Sequence, residues 1–184
     1  MGSANSSGSH HTEMVNFAQV NEDEFAGMVK QESNIGSRTW IIDTGATNHM
    51  AYNASLISSL HELPYISPIT LPDGTIKYVN KGGDVHIASV LTLKDCLLVD
   101  SFKCNLLSVS KCLKSSQYSF NFTDEYCLLQ DQQSKKVVGA AKLIKGLYLL
   151  NDESFLPAFV NRVVDSMNKL VKSSAALSVV TAKV

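Results

Sequence analysis

Arginine is the scarcest charged residue in this 184-residue sequence: of sixteen basic residues, only Arg38 and Arg162 are arginine. The lysines do not gather into a patch interleaved with aromatics, so the electrostatic footprint of a nucleic-acid binder is missing and no such partner is expected. Charge is nearly balanced, with a formal net charge of −1. No apolar run approaches membrane-spanning length, and the N-terminus lacks the basic-then-apolar layout of a secretion signal, so no membrane partner is expected either. The four cysteines, Cys96, Cys104, Cys112 and Cys127, include no Cys-x-x-Cys pair and have no histidine at zinc-ligand spacing. A metal or other cofactor is therefore not expected. Free, buried thiols point instead to a reducing compartment, where the sequons at Asn5, Asn53 and Asn121 would carry no glycan. The sequence also lacks a Gly-x-Ser-x-Gly elbow, a phosphate-binding Gly-Lys-Ser/Thr loop, a His-Glu-x-x-His helix and a dinucleotide fingerprint. The length holds one domain with appendages, or at most two small domains.

The chain is organised around Trp40-Ile41-Ile42-Asp43-Thr44-Gly45-Ala46-Thr47-Asn48-His49-Met50. An aromatic and two β-branched aliphatics run into Asp-Thr-Gly, which reads as a buried strand ending in a tight turn. A carboxylate at such a place needs hydrogen-bond donors around it, because aspartate is almost never buried without partners. Gly45 allows a sharp turn and close approach of another chain, and the Thr44 hydroxyl can both donate and accept.

Residues 1–13 are mostly Ser, Gly, Asn and His with little to bury, and Asn21 with Glu24 caps an expected short helix over about 21–30. The region from Met50 to Leu63 is mixed, with a short helical turn expected near Asn53-Ala54-Ser55; Pro64 and Pro68 exclude a long helix. Ile69-Thr70-Leu71, Pro72-Asp73-Gly74-Thr75 and Ile76-Lys77-Tyr78-Val79 form a strand, a turn and a strand. Lys81-Gly82-Gly83 reads as a break. Val85–Ile87 and Leu91–Leu93 read as half-exposed strands, and Cys96–Val99 as one buried on both faces. In Asn105–Leu113 the period switches: Leu106, Val109 and Leu113 share a helical face, predicting a helix packed on the core. Strands are then expected at Tyr118–Phe122, Tyr126–Gln130, Lys136–Ala140 and Lys145–Leu150. A helix follows Pro157, with Phe159, Val163, Met167, Leu170 and Val171 on one face.

Asp43-Thr44-Gly45-Ala46 behind apolar residues resembles the active-site signature of retroviral-type aspartic proteases. The longer run through Met50, together with Asn105-Leu106-Leu107-Ser108-Val109, resembles the protease domain of copia-type LTR retrotransposon Gag-Pol polyproteins. The resemblance covers roughly Trp40 to Leu150. It implies an all-β, retropepsin-like acid protease barrel with a flap hairpin, one short helix and a C-terminal β extension. Residues 1–37 would then be a flexible N-terminal segment, 38–150 the protease domain, and 151–184 a helical linker toward an integrase-side module. The chain departs from the retropepsin pattern in three places. The Gly that usually precedes the Asn-Leu-Leu helix is Lys103 by spacing. The acidic residue usual at the position of Thr47 and the Arg usual near Cys104 are both absent.

The resemblance also implies roles. Asp43 would supply one half of a catalytic dyad, Thr44 would lock two such turns together, and Gly45 would accept a substrate amide. Ala46, Thr47 and Asn48 would contact the peptide, and Leu71, Pro72, Asp73, Gly74 and Thr75 would form the flap tip. His49 reads as a packed structural histidine. No second Asp-Thr-Gly or Asp-Ser-Gly exists in the chain. The second carboxylate must therefore come from a second copy, and the expected enzyme is a C2 homodimer. Its substrate would be a polypeptide, its own polyprotein, cut in the cytoplasm within virus-like particles. The alternative from another class is a non-catalytic or latent dimer of this fold that binds peptides.

Overall fold

A computed structural model of the chain describes residues 36–71, 74–115 and 117–181, with side chains described through residue 169. The helix expected over 21–30 lies outside the described residues, as do Pro72 and Asp73 of the expected flap tip.

Strand β1 (Trp40–Asp43) is central, because both of its faces and both of its edges are covered. Trp40 and Ile42 enter one core with Leu107, Leu129 and Leu150. Ile41 enters a second core with Met50, Leu106 and Leu149. Alternate residues of a strand point to opposite faces, so a continuous apolar run is what a strand between two cores requires. Each fully buried side chain of this size contributes about 1.5–3 kcal/mol of hydrophobic stabilisation.

The remaining strands are β2 (Met50–Ala51), β3 (Ile57–Thr70), β4 (Ile76–Ile87), β5 (Leu91–Leu98) and β6 (Asn105–Ser108), followed by β7 (Tyr118–Phe122), β8 (Tyr126–Asp131), β9 (Val137–Ile144) and β10 (Leu147–Leu150). Among the described residues they form one ten-stranded mixed sheet in the order β3-β4-β5-β2-β6-β1-β10-β9-β8-β7. The fold is accordingly all-β and barrel-like, with few helices. β1 runs parallel to β6 and antiparallel to β10. A 3-10 turn at Ala54–Leu56 precedes β3, capped by the Asn53 side chain. Among the described residues the α-helices are α1 (Val109–Lys114) and α2 (Pro157–Thr181). Val163 of α2 packs on Leu128 and Ala140, with Phe159 and Met167 beside it.

Three expectations need correction. First, Asn105-Leu106-Leu107-Ser108 is strand β6, and helix begins only at Val109. Leu106 and Leu107 are both wholly buried, one in each core, which a strand permits and a single helical face does not. Leu113 is instead 48% exposed. The residue immediately before the helix is therefore Ser108, not Lys103, and Ser108 caps the helix by accepting from Lys111 N–H at 3.1 Å. Second, of the strand expected at Ile69–Leu71, Ile69 and Thr70 are the end of a 14-residue strand and Leu71 lies just beyond it. β3 absorbs Pro64 and Pro68 because it lies at the edge of the sheet, where a missing N–H need not break a ladder. Its register against β4 shifts between Glu62 and Ser67.

Third, Lys81-Gly82-Gly83 is not a break, since β4 runs through it. Glycine is required there by crowding. A Cβ on Gly82 would stand 2.7 Å from the Cys96 carbonyl oxygen. One on Gly83 would stand 2.7 Å from both Ile57 Cγ2 and the Ser58 carbonyl oxygen. We expect Gly83→Ala to destabilise the fold by about 2 kcal/mol, because backbone on the neighbouring strand cannot yield as a flexible side chain can. Urea unfolding checks this: the midpoint should fall with the slope unchanged. A midpoint equal to that of the unaltered chain would refute the crowding argument.

Candidate functional site

The predicted residues fall in two places. The first is the turn Asp43–Asn48, which leaves the end of β1; the second is the end of the β3–β4 hairpin. At the hairpin end, Leu71 N–H donates to the Thr75 carbonyl at 2.8 Å, and Gly74 N–H donates to the Leu71 carbonyl at 2.9 Å. Gly74 has φ +83°, a left-handed conformation that explains a glycine at this turn. One face of the hairpin is anchored, since Ile69 and Val79 are buried in the second core. The other face exposes Ile66, Ile76 and Tyr78.

In the Asp43 turn, Asp43 is half-buried and its carboxylate is held by the turn itself. Gly45 N–H donates to Oδ1 at 2.7 Å and Ala46 N–H at 3.2 Å. Both donors converge on Oδ1, so Oδ2 is the oxygen the turn leaves for another group. Thr44 and Thr47 are exposed, Gly45 and Asn48 are half-buried, and Ala46 is buried. The Asn48 side chain donates to Thr47 Oγ1 at 3.3 Å and accepts from Lys111 Nζ at 3.4 Å. The Lys111 ammonium also donates to the Asp95 carbonyl at 2.8 Å. Burial lowers the pKa of Lys111, opposed by the Asp95 charge.

Beneath the turn lie residues that the sequence did not single out. Ser108 closes β6 directly opposite Asp43 in the parallel pair. Its hydroxyl donates to the Ala46 carbonyl at 2.5 Å, and the Ser110 hydroxyl reaches the same oxygen at 3.2 Å. Ser108 N–H donates to His49 Nδ1 at 3.1 Å. A backbone N–H can only donate, so Nδ1 is the bare nitrogen and the neutral ring carries its proton on Nε2, which faces Cys112 Sγ at 4.0 Å. Burial, reinforced by the Lys111 charge, pushes the His49 pKa down to about 3. Burial pushes the Cys112 thiol up to about 12, so it is an inert neighbour and not a nucleophile. His49 is thus a packed structural histidine, as the sequence led us to expect.

The two strands are pinned at their other end by Asn105, which is wholly buried. Its amide donates to the Ser37 and Thr39 carbonyls, each at 2.9 Å, and its oxygen accepts from Tyr52 N–H at 3.2 Å. The only sequence signal for Ser108 and Ser110 was their place after Asn-Leu-Leu, and that signal is readable only once the segment is recognised as a strand parallel to β1.

Residues 40–118 match the family model described as "Pol polyprotein, beta-barrel domain". The match runs from the first residue of β1 to the first residue of β7, so the stretch that is similar to that domain includes the Asp43 turn, the β3–β4 hairpin and α1. No curated protein and no solved structure shows significant similarity to the chain.

Proposed function

We propose that this chain is an aspartic endopeptidase of the copia-type Pol polyprotein kind, acting as a C2 homodimer on its own polyprotein. The observation that carries the reading is the Asp43 turn: a carboxylate at the end of a rigid, doubly buried strand, oriented through one oxygen by Gly45 and Ala46 N–H. A chain with one such turn needs the partner subunit's Asp43 to complete the dyad. Both edges of β1 are already filled, by β6 and β10. A second copy must therefore approach through the exposed turn rather than by adding a strand beside β1. In this reading Thr44, exposed at that turn, would meet its symmetry mate.

Two carboxylates in contact cannot both ionise, so the pair holds one proton. The ionised member takes a proton from a water as its oxygen attacks the scissile carbonyl. The protonated member donates to the carbonyl oxygen. Collapse of the tetrahedral centre breaks the C–N bond, and a proton passes to the leaving nitrogen. Substrate would lie as an extended strand between the two turns and the two hairpin ends, with Gly45, Thr47, Asn48, Leu71, Gly74 and Thr75 contacting it, while Ala46, buried and with both backbone groups already paired, would support the turn from beneath.

Because only the dimer would hold a dyad, cleavage should depend on self-association. We expect a polyprotein fragment containing this chain to be cut with a specific activity that rises with concentration and levels off once sedimentation shows a dimer. A dimer that never cuts at any concentration would sink the protease reading and leave a peptide-binding module of the same fold.

A further inference from the structure

We propose that Ser108 is a positioning residue for the reaction: through Ala46, its hydroxyl sets where the Asp43 carboxylate stands. The proposal rests on the protease reading above for its catalytic consequence, though not for its geometry.

Ser108 is wholly buried and in register with Asp43 on the neighbouring parallel strand. A hydroxyl has one proton to give, and Ser108 places it on the Ala46 carbonyl at 2.5 Å. Its lone pairs then accept Lys111 N–H at 3.1 Å and can accept the Ser110 hydroxyl, also at 3.1 Å. Its own N–H is taken by His49 Nδ1. Ser108 is thus tied to the turn through Ala46, to the chain beyond the turn through His49, and to α1 through Lys111. Ala46 is the link. Its carbonyl accepts from Ser108, and its N–H donates to Asp43 Oδ1 at 3.2 Å. Removing the hydroxyl releases one end of Ala46 and lets its N–H move away from the carboxylate. The Ser110 hydroxyl, longer at 3.2 Å, is only a partial substitute. Displacements well under an ångström matter at a dyad, because proton transfer and attack depend on alignment of the reacting groups.

Ser108→Gly removes the hydroxyl, keeps the N–H that His49 needs, and is well tolerated at a helix N-cap. Ser108→Thr restores a hydroxyl. We expect Ser108→Gly to raise amide hydrogen exchange at Ala46 by about tenfold or more while amides of β1 and β6 keep their protection. It should lower kcat on the polyprotein fragment about 10–100-fold with KM nearly unchanged. Ser108→Thr should recover both. Unchanged Ala46 exchange, unchanged kcat, or protection lost equally throughout β1 and β6 would each overturn the positioning role. If the unaltered chain never cleaves, the protease reading fails separately, and Ala46 exchange alone decides whether Ser108 holds the turn.

Discussion

Asp43→Asn should abolish peptide cleavage, with a fall on the order of 10⁴-fold or more, while the chain still folds and self-associates. The size of the effect follows from the chemistry. Groups that act as one unit lose nearly all of their rate when one member is removed, because neither half can bind the water and move the proton alone. Asparagine keeps the shape of the side chain, and its carbonyl oxygen can still accept from Gly45 and Ala46 N–H, so the turn survives. Only the ability to hold and release a proton is lost. The same variant tests the shared site. In an equimolar mixture with the unaltered chain, random pairing leaves roughly one quarter of dimers with two aspartates, so activity should drop well below half. Activity falling in simple proportion to the unaltered chain would mean that each copy works alone, which contradicts the dyad. Mass spectrometry of the cleaved fragment, with sedimentation on the same sample, reads both results.

The second large effect is on stability at acid pH, and it comes from His49. Its pKa in the folded chain is pushed down to about 3, first by burial and then by the Lys111 charge, from an ordinary value of 6.5. Between these values the unfolded chain binds a proton that the folded chain excludes. Stability associated with His49 is therefore fully present above pH 6.5 and is lost as pH falls toward 3. The slope is about 1.4 kcal/mol per pH unit, which amounts to about 2 kcal/mol by pH 5 and about 4 kcal/mol by pH 3. That is a large share of the margin of an ordinary domain. Protonation at Nδ1 would also set an N–H against Ser108 N–H, a clash of two donors at the base of the Asp43 turn. If the chain is the protease proposed above, the acid side of its activity profile should then be limited by unfolding of this turn as well as by titration of the dyad. Denaturant titrations from pH 7 to pH 4 measure the slope. His49→Asn offers an uncharged acceptor in place of Nδ1 and should remove about one proton from the dependence. An unchanged slope in that variant would show that the acid sensitivity arises elsewhere.

The elements legible in the sequence were those whose pattern has one physical solution. Trp40-Ile41-Ile42 before Asp-Thr-Gly could only be a buried strand and turn. Leu71 to Thr75, with its Pro-Asp-Gly, could only be a hairpin end, and Pro157 opened a helix as its fixed φ suggests. Asn105–Leu113 misled because Leu-Leu within a short apolar run fits either period, and pairing with β1 and β2 decided for strand up to Ser108. Gly82-Gly83 misled for a related reason. A glycine pair in a sequence looks the same whether it frees a turn or makes room for a neighbouring strand.

By itself, the sequence determined a strand-rich chain built around one acidic turn, without a second such turn and without any other catalytic signature, while the all-β class came from the family resemblance. Those are properties of residue type and order, which local sterics and hydrophobic periodicity translate directly. What only the tertiary structure decided is how that turn is held. Ser108, more than sixty residues along the chain, stands opposite Asp43 because β6 lies parallel to β1. His49 stays neutral because it is buried beside the Lys111 charge, and β10 fills the remaining edge of β1. These contacts depend on register between strands distant in sequence, and register is set by the packing of whole faces, not by any residue's own preference.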